Sequence, residues 1–193
     1  MSRTAIRIIH EEHRALAAML RTLHLLADRI REVGGAPDFD LIRAILFYID
    51  EFPERLHHTK ETELLFPMLR ARVPNAASVL DRLDAAHGRG ESAIRELEHL
   101  LLAWEQLGER RRQPFLDALD RYVSFYLAHM NLEEQEMLPM AERTLTDEDW
   151  EALDRAFEEN RDPLTGHAPS EEYEALFTKI VSLAPAPIGL GGS

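Results

Sequence analysis

The sequence has no cysteine, which excludes disulfides, thiolate nucleophiles, iron–sulfur clusters and cysteine-ligated zinc. Any metal held by this chain is therefore held by histidine and carboxylate. It also lacks a long apolar run. Its start, MSRTAIRIIHEEH, has the spacing of an amphipathic helix rather than the core of a signal peptide or membrane span. The expectation is a soluble, cytoplasmic protein without a membrane partner. Basic residues are scarce, 22 Lys and Arg against 35 Asp and Glu, and the net charge of -13 would repel nucleic acid and anionic lipid alike. The apolar–polar alternation that marks strands is almost missing.

What is present suits one domain of ordinary size with a modest appendage: 193 residues, 45% apolar and 30% charged. The expected organisation is a helical bundle over 1–145, a helical extension over 146–184 and a flexible Gly/Pro-bearing tail over 185–193. Hydrophobic periodicity gives four long helices. In the first, Ile6, Ile9, His13, Leu16, Leu20 and Leu23 form a seam, so His13 takes a core position. Asp38 is an expected N-cap of the second, whose stripe runs Ile42, Leu46, Ile49, Pro53, His57, with a kink expected at Pro53. The third opens after Pro74 on the seam Leu80, Leu83, His87, Gly90, Ile94, Leu97 and stops near Gly108. The fourth opens near Pro114 and carries Phe115, Leu119, Tyr122, Tyr126, His129 and Glu133 on one stripe. Thr146 with Asp149 resembles a capping box before a shorter helix, and SEEYEALFTKIVSL reads as a last one. The fold class is all-α: an antiparallel up-down four-helix bundle with one or two short C-terminal helices.

The second and fourth helices repeat each other. A shift of 72 residues lays HHTKETELLFPM on HMNLEEQEMLPM, matching His57 to His129, Glu61 to Glu133, Pro67 to Pro139 and Met68 to Met140. A His and a Glu four apart share a helix face, with Cβ atoms roughly 5–6 Å apart, and can reach one cation or two neighbouring ones. Composition alone gives about one chance HxxxE pair. Four occur, and those at His57/Glu61, His87/Glu91 and His129/Glu133 fall on three different bundle helices. The pair His167/Glu171 encloses Pro169 and is not expected to be helical. Carboxylates beside core stripes are costly to bury without a partner, so several of them in one interior call for a cation. Imidazole and carboxylate without thiolate suit iron, manganese or zinc, and bridging carboxylates hold paired metals.

Each residue also has a plainer reading. A lone core histidine such as His13 is more often an interior hydrogen-bonding group, but beside three HxxxE pairs it reads as a ligand. Between neighbours, phase favours His57: it follows Ile49 and Pro53 and precedes Glu61. His58 follows Glu51, Glu54 and Arg55 and is expected to be exposed or outside the ligand set. His10 is a lesser candidate, Glu134 a possible substitute for Glu133, and His24, His99, His167 and Glu136 ordinary surface groups. Tyr122 and Tyr126 are packing residues or, as catalytic candidates, hydrogen-bond donors to a metal-bound oxygen. The strings ERLH, from Glu54 to His57, and ELEH, from Glu96 to His99, would fit a ferritin-like carboxylate protein. At about 100° per residue, however, His99 points away from the His87 seam.

Over roughly residues 5–142 these motifs resemble the hemerythrin-like, HHE cation-binding family: His13, then HHTKE with LLFPML, then AAHGRGE, then HMNLEEQEMLP. The resemblance implies a four-helix bundle around two non-haem Fe ions, oxygen-bridged, with Mn or Zn as lesser alternatives. Glu61 and Glu133 would bridge them, His13, His57, His87 and His129 would be terminal ligands, and Glu91 a candidate seventh. Oxygen-carrying members have a further histidine where this chain has Glu91, and an aspartate where it has Glu133. An added carboxylate stabilises the ferric state. That pattern is similar to a subgroup associated with peroxide decomposition, which favours a catalase-like activity on a small oxidant (hydrogen peroxide, oxygen or nitric oxide) over oxygen transport. The alternative is a non-enzymatic oxygen, nitric oxide or iron sensing or storage module. The expected assembly is a monomer or homodimer.

Overall fold

Helix α1, Thr4–Val33, begins the chain and ends where Gly34 turns to φ 71° and returns its N–H to Ile30. In the computed structural model, which describes residues 3–35 and 37–184, every regular element is helical. The tail expected at 185–193 lies outside the described residues. No helix among those described is long and apolar enough to cross a membrane.

A second helical rod fills 39–72. It opens as α2, Phe39–Ile49, with the Asp38 side chain accepting the Leu41 N–H as its cap. It then widens into a π-helix, π1, Asp50–His57, continues through α3, His58–Lys60, widens again as π2, Glu61–Leu65, and closes as α4, Phe66–Arg72. The widening is the local answer to Pro53. Proline has no N–H and clashes with the carbonyl four residues back in a regular α-helix. A register of five residues, seen where the His58 N–H reaches the Pro53 carbonyl, carries the rod through the proline that was expected to kink it.

The third rod is α5, Ala77–Leu107, entered by the turn Pro74–Ala76 and ended at Gly108. The fourth comprises α6, Arg112–Leu132, then π3, Glu133–Met137, then α7, Leu138–Thr144. Segments π2 and π3 coincide under the 72-residue shift, as do the prolines Pro67 and Pro139 in the first turns of α4 and α7. The capping box of Thr146 and Asp149 starts α8, Asp147–Glu158, and α9, Glu174–Leu183, follows.

Helix α1 packs on α2 and α6, and α5 packs on α2 and α6, while α8 lies along α1 and α9 along α2. The interior is layered. One apolar cluster holds Leu16 to Ile30 of α1, Leu41 to Phe52, Ile94 to Trp104 and Phe115 to Met130. The other holds Ala5 to Ile9, Leu65 to Leu69, Leu80, Leu83 and Met137 to Leu145, with Trp150, Leu153 and Phe157 of α8. On every rod the stretch between the two clusters carries buried polar residues: His13; His57, His58 and Glu61; His87; His129 and Glu133. Apolar burial on both sides, at about 25 cal/mol per Å², is what drives this polar layer out of water.

Candidate metal centre

Glu61 and Glu133 are fully buried, and His13, His57, His58, His87 and His129 are each less than a tenth exposed. Their ligating atoms fall into two groups, His13, His57, Glu61 and Glu133 in one and His58, His87 and His129 in the other, within 4.8 Å of one another in each group. The two acids join them. Glu61 presents Oε1 to His57 Nε2 at 3.5 Å and Oε2 to His87 Nε2 at 3.4 Å. Glu133 presents Oε1 to His129 Nε2 at 3.0 Å and to His87 Nε2 at 3.5 Å, and Oε2 to His13 Nε2 at 3.2 Å.

Close as they are, these atoms make no hydrogen bonds with proper geometry. Nε2 of His13, His57, His87 and His129 and all four carboxylate oxygens of Glu61 and Glu133 lack a partner. Buried polar atoms are rarely left so. Atoms that converge without bonding one another are what a cation-binding set requires, so the residues present fit a metal.

The far side of four of the five rings supports the same reading. His57 Nδ1 lies 2.7 Å from Glu12, His13 Nδ1 2.9 Å from Glu134, His58 Nδ1 3.0 Å from Glu54 and His87 Nδ1 2.8 Å from the Thr62 hydroxyl. An Nδ1–H committed to a carboxylate leaves the Nε2 lone pair for a metal and fixes the ring's angle, the usual arrangement around metal-bound histidine.

Electrostatics show what holds the acids ionised. Burial, and then the facing Glu133, push Glu61 up, but His57 and His87 outweigh both and bring its carboxyl down to about 2. Glu133 is likewise held well below the usual range: burial opposes this, and His129, His13 and His87 overcome it. Burial lowers His87, yet Glu133 and Glu61 lift it to about 9, and Glu61 with Glu12 hold His57 well above its ordinary value in the same way. His58 goes the other way, pushed well down by burial and by the neighbouring His87, His57 and His129. It stays neutral, with a lone pair to offer.

Two expectations need correcting. Glu91 is not in the cluster: it is exposed, paired with Arg95, at the edge of an open cleft. Helix α5 is a regular α-helix here, so a residue four beyond His87 is rotated about 40° outward, and Gly90 takes the inward position. His58, expected outside, is buried with its ring stacked on His87 at 4.2 Å between centroids. Because π1 and π2 flank it, each residue advances less around the axis than in an α-helix, and both members of the His57–His58 pair turn inward.

Glu54, one of the charged residues one turn before His58, is buried and accepts hydrogen bonds from the hydroxyls of Tyr126 and, at 3.3 Å, Tyr122. The two tyrosines therefore act on Glu54 and, through it, on His58. His10 and Glu134 lie at the rim, 3.4 Å apart and partly exposed, and His24, His99, His167 and Glu136 are on the surface. Glu96 is exposed as well, which leaves the ELEH string with no role inside. A cleft of about 460 Å³, lined by Glu54, His58, Thr62, His87, Gly88 and Glu91, opens the second group of ligands to solvent.

A family model described as the hemerythrin HHE cation binding domain matches residues 4–141. No curated protein and no solved structure matches the chain.

Proposed function

The chain belongs to the hemerythrin HHE cation-binding family, and from that premise we propose that it holds two non-haem iron ions and reacts with a small oxidant. The arrangement is read as an antiparallel up-down four-helix bundle over 1–145, with 146–184 as a helical extension packed against it. His13 and His57 would hold one ion, His58, His87 and His129 the other, with Glu61 and Glu133 between them. The observation that carries this reading is the set of buried ring nitrogens and carboxylate oxygens that converge without bonding one another. Two acids and five imidazoles, with no sulfur, suit iron, with Mn or Zn as lesser fits.

When bound, iron supplies one-electron redox chemistry and a Lewis-acid position for a small oxygen or nitrogen species. The chain does the rest. Nδ1 contacts to Glu12, Glu54, Glu134 and Thr62 orient four rings. The apolar clusters close the layer on two sides. The cleft beside His58 and His87 admits molecules of the size of peroxide, oxygen or nitric oxide. Catalase-like turnover is favoured because Glu54 lies in that cleft with two phenols donating to it, groups able to exchange the protons that peroxide cleavage consumes.

Reversible binding without turnover, as in an oxygen or nitric oxide sensor or an iron store, is a second reading, and one observation favours it. With Glu91 outside and His58 inside, the cluster carries two carboxylates rather than three, so the anionic excess that would oppose oxygen carriage is smaller. Metal analysis and an optical spectrum of purified protein, followed by oxygen evolution on adding peroxide, separate the readings. Oxygen release well above that of free iron supports turnover. A reversible spectral change with no product supports the second reading, and a protein that takes up no metal removes both.

A further inference from the structure

The chain after α8 makes a tight inward turn. Asn160 and Asp162 are 5% and 3% exposed, while Arg161 between them is exposed and held at φ 46°, a left-handed backbone that costs a non-glycine residue about 1–2 kcal/mol. Such strain persists only where the surroundings over-determine it. Here the anchors are visible. Asp162 accepts the Tyr48 hydroxyl at 2.6 Å and the Leu164 N–H at 2.9 Å, which fixes the turn against α2. Asn160, so placed, directs its amide at Glu12, donating to both carboxylate oxygens at 2.9 and 3.1 Å.

Glu12 in turn accepts from His57 Nδ1 at 2.7 Å, and among the described residues its side chain bonds only these two partners. The carboxylate is 7% exposed. With one donor taken away, a buried carboxylate is left under-satisfied and free to rotate, and that rotation releases the His57 ring. The Asn160 amide therefore holds Glu12 where it fixes the His57 ring, with Nδ1 turned to Glu12 and Nε2 to Glu61.

We infer that Asn160 is a positioning residue of the metal centre, acting through Glu12 to set the orientation of His57. This rests on the cation-binding reading above. Residue 160 lies beyond residues 4–141, the span of the family match. The extension after residue 145 is thus part of the centre's construction, and a chain cut at the family boundary would lack one of its supports.

The test uses the full-length chain, stripped of metal and titrated anaerobically with ferrous ion against a chromogenic chelator. Loss of an outer carboxylate or amide support costs roughly 10–100-fold in metal affinity. Asn160→Ala and Glu12→Gln should each weaken one of two ferrous ions by that factor and shift the near-UV band of the iron-loaded protein. The double variant should bind no more weakly than the weaker single, because both changes cut the same chain of contacts. If Asn160→Ala does not fold, Asn160→Asp keeps the volume and removes both N–H donors, and the same loss is expected. Wild-type affinity in the variant that folds, or losses that multiply in the double, overturns the inference. A wild-type protein that loads two ions beside an unimpaired Asn160 variant removes this inference alone, whereas a wild type that loads none removes the metal reading with it.

Discussion

Gly90 sits in the middle of α5, where alanine would ordinarily stabilise a helix by about 1 kcal/mol. This position should reverse that rule. A Cβ placed on Gly90 would overlap the Tyr126 hydroxyl and lie 2.8 Å from Tyr126 Cζ and 3.0 Å from Glu54 Oε1. The tyrosine has nowhere to go: it is 0% exposed, packed on Tyr122 at 4.7 Å, Phe125 at 5.2 Å and His58 at 5.7 Å between ring centroids. Relieving the overlap moves a buried ring by roughly 1–1.5 Å, an overpacking cost of about 1–3 kcal/mol. It also pulls a hydroxyl off a buried carboxylate, a charged hydrogen bond worth about 1.5–3 kcal/mol. Against the helix-propensity gain, Gly90→Ala should be destabilised by about 2–4 kcal/mol net, which for a chain of this size lowers Tm by roughly 5–15 °C. Urea and thermal unfolding of the metal-free protein read this directly. Tyr126→Phe in the same chain removes the atom that overlaps most and should recover part of the loss. A Gly90→Ala variant as stable as wild type, or more so, would show that the Tyr126–Glu54 contact does not constrain α5.

On the proposed two-iron reading, the exchange of Glu91 for His58 is checked by metal content: His58→Ala should bind one ion fewer than wild type, while Glu91→Ala should bind as many as wild type. Chelation should lower thermal stability, since each cation at about 100 times its Kd adds roughly 2.7 kcal/mol to the folded state; a transition indifferent to iron and chelator would indicate a metal-free bundle. Burial raises Asp162 to about 6 from 3.8, in spite of the Tyr48 and Leu164 hydrogen bonds. A carboxyl raised on folding contributes stability that is fully present below pH 4 and lost as pH rises through 6. The metal-free wild type should therefore lose roughly 2–2.5 kcal/mol relative to Asp162→Asn between pH 4 and 7, and parallel pH profiles for the two proteins would contradict the burial of an ionisable Asp162.

Much of this protein is decided locally and can be read along the chain. The seams of α1 and α5, the Asp38 cap, the Gly108 stop and the Thr146–Asp149 box each depend on residues within a turn or two of one another. The pairs His57/Glu61 and His129/Glu133, repeated 72 residues apart, likewise announce a polar layer that an apolar interior can tolerate only around a positive charge. What periodicity could not supply was the true phase of the second rod. An α-helical step sends His58 and Glu54 outward, and only the π-widened turns, one containing Glu54 and the two together flanking His58, bring both inside. In α5, where no such widening occurs, the same HxxxE spacing leaves Glu91 in solvent. The supports of the ligands were out of reach for a different reason. Glu12 with Asn160 and Glu54 with Tyr126 are 148 and 72 residues apart, and nothing in either local sequence marks the pairing. Spacing along a helix determines which residues can share a face, but the closing of one rod on another determines which of those faces meet.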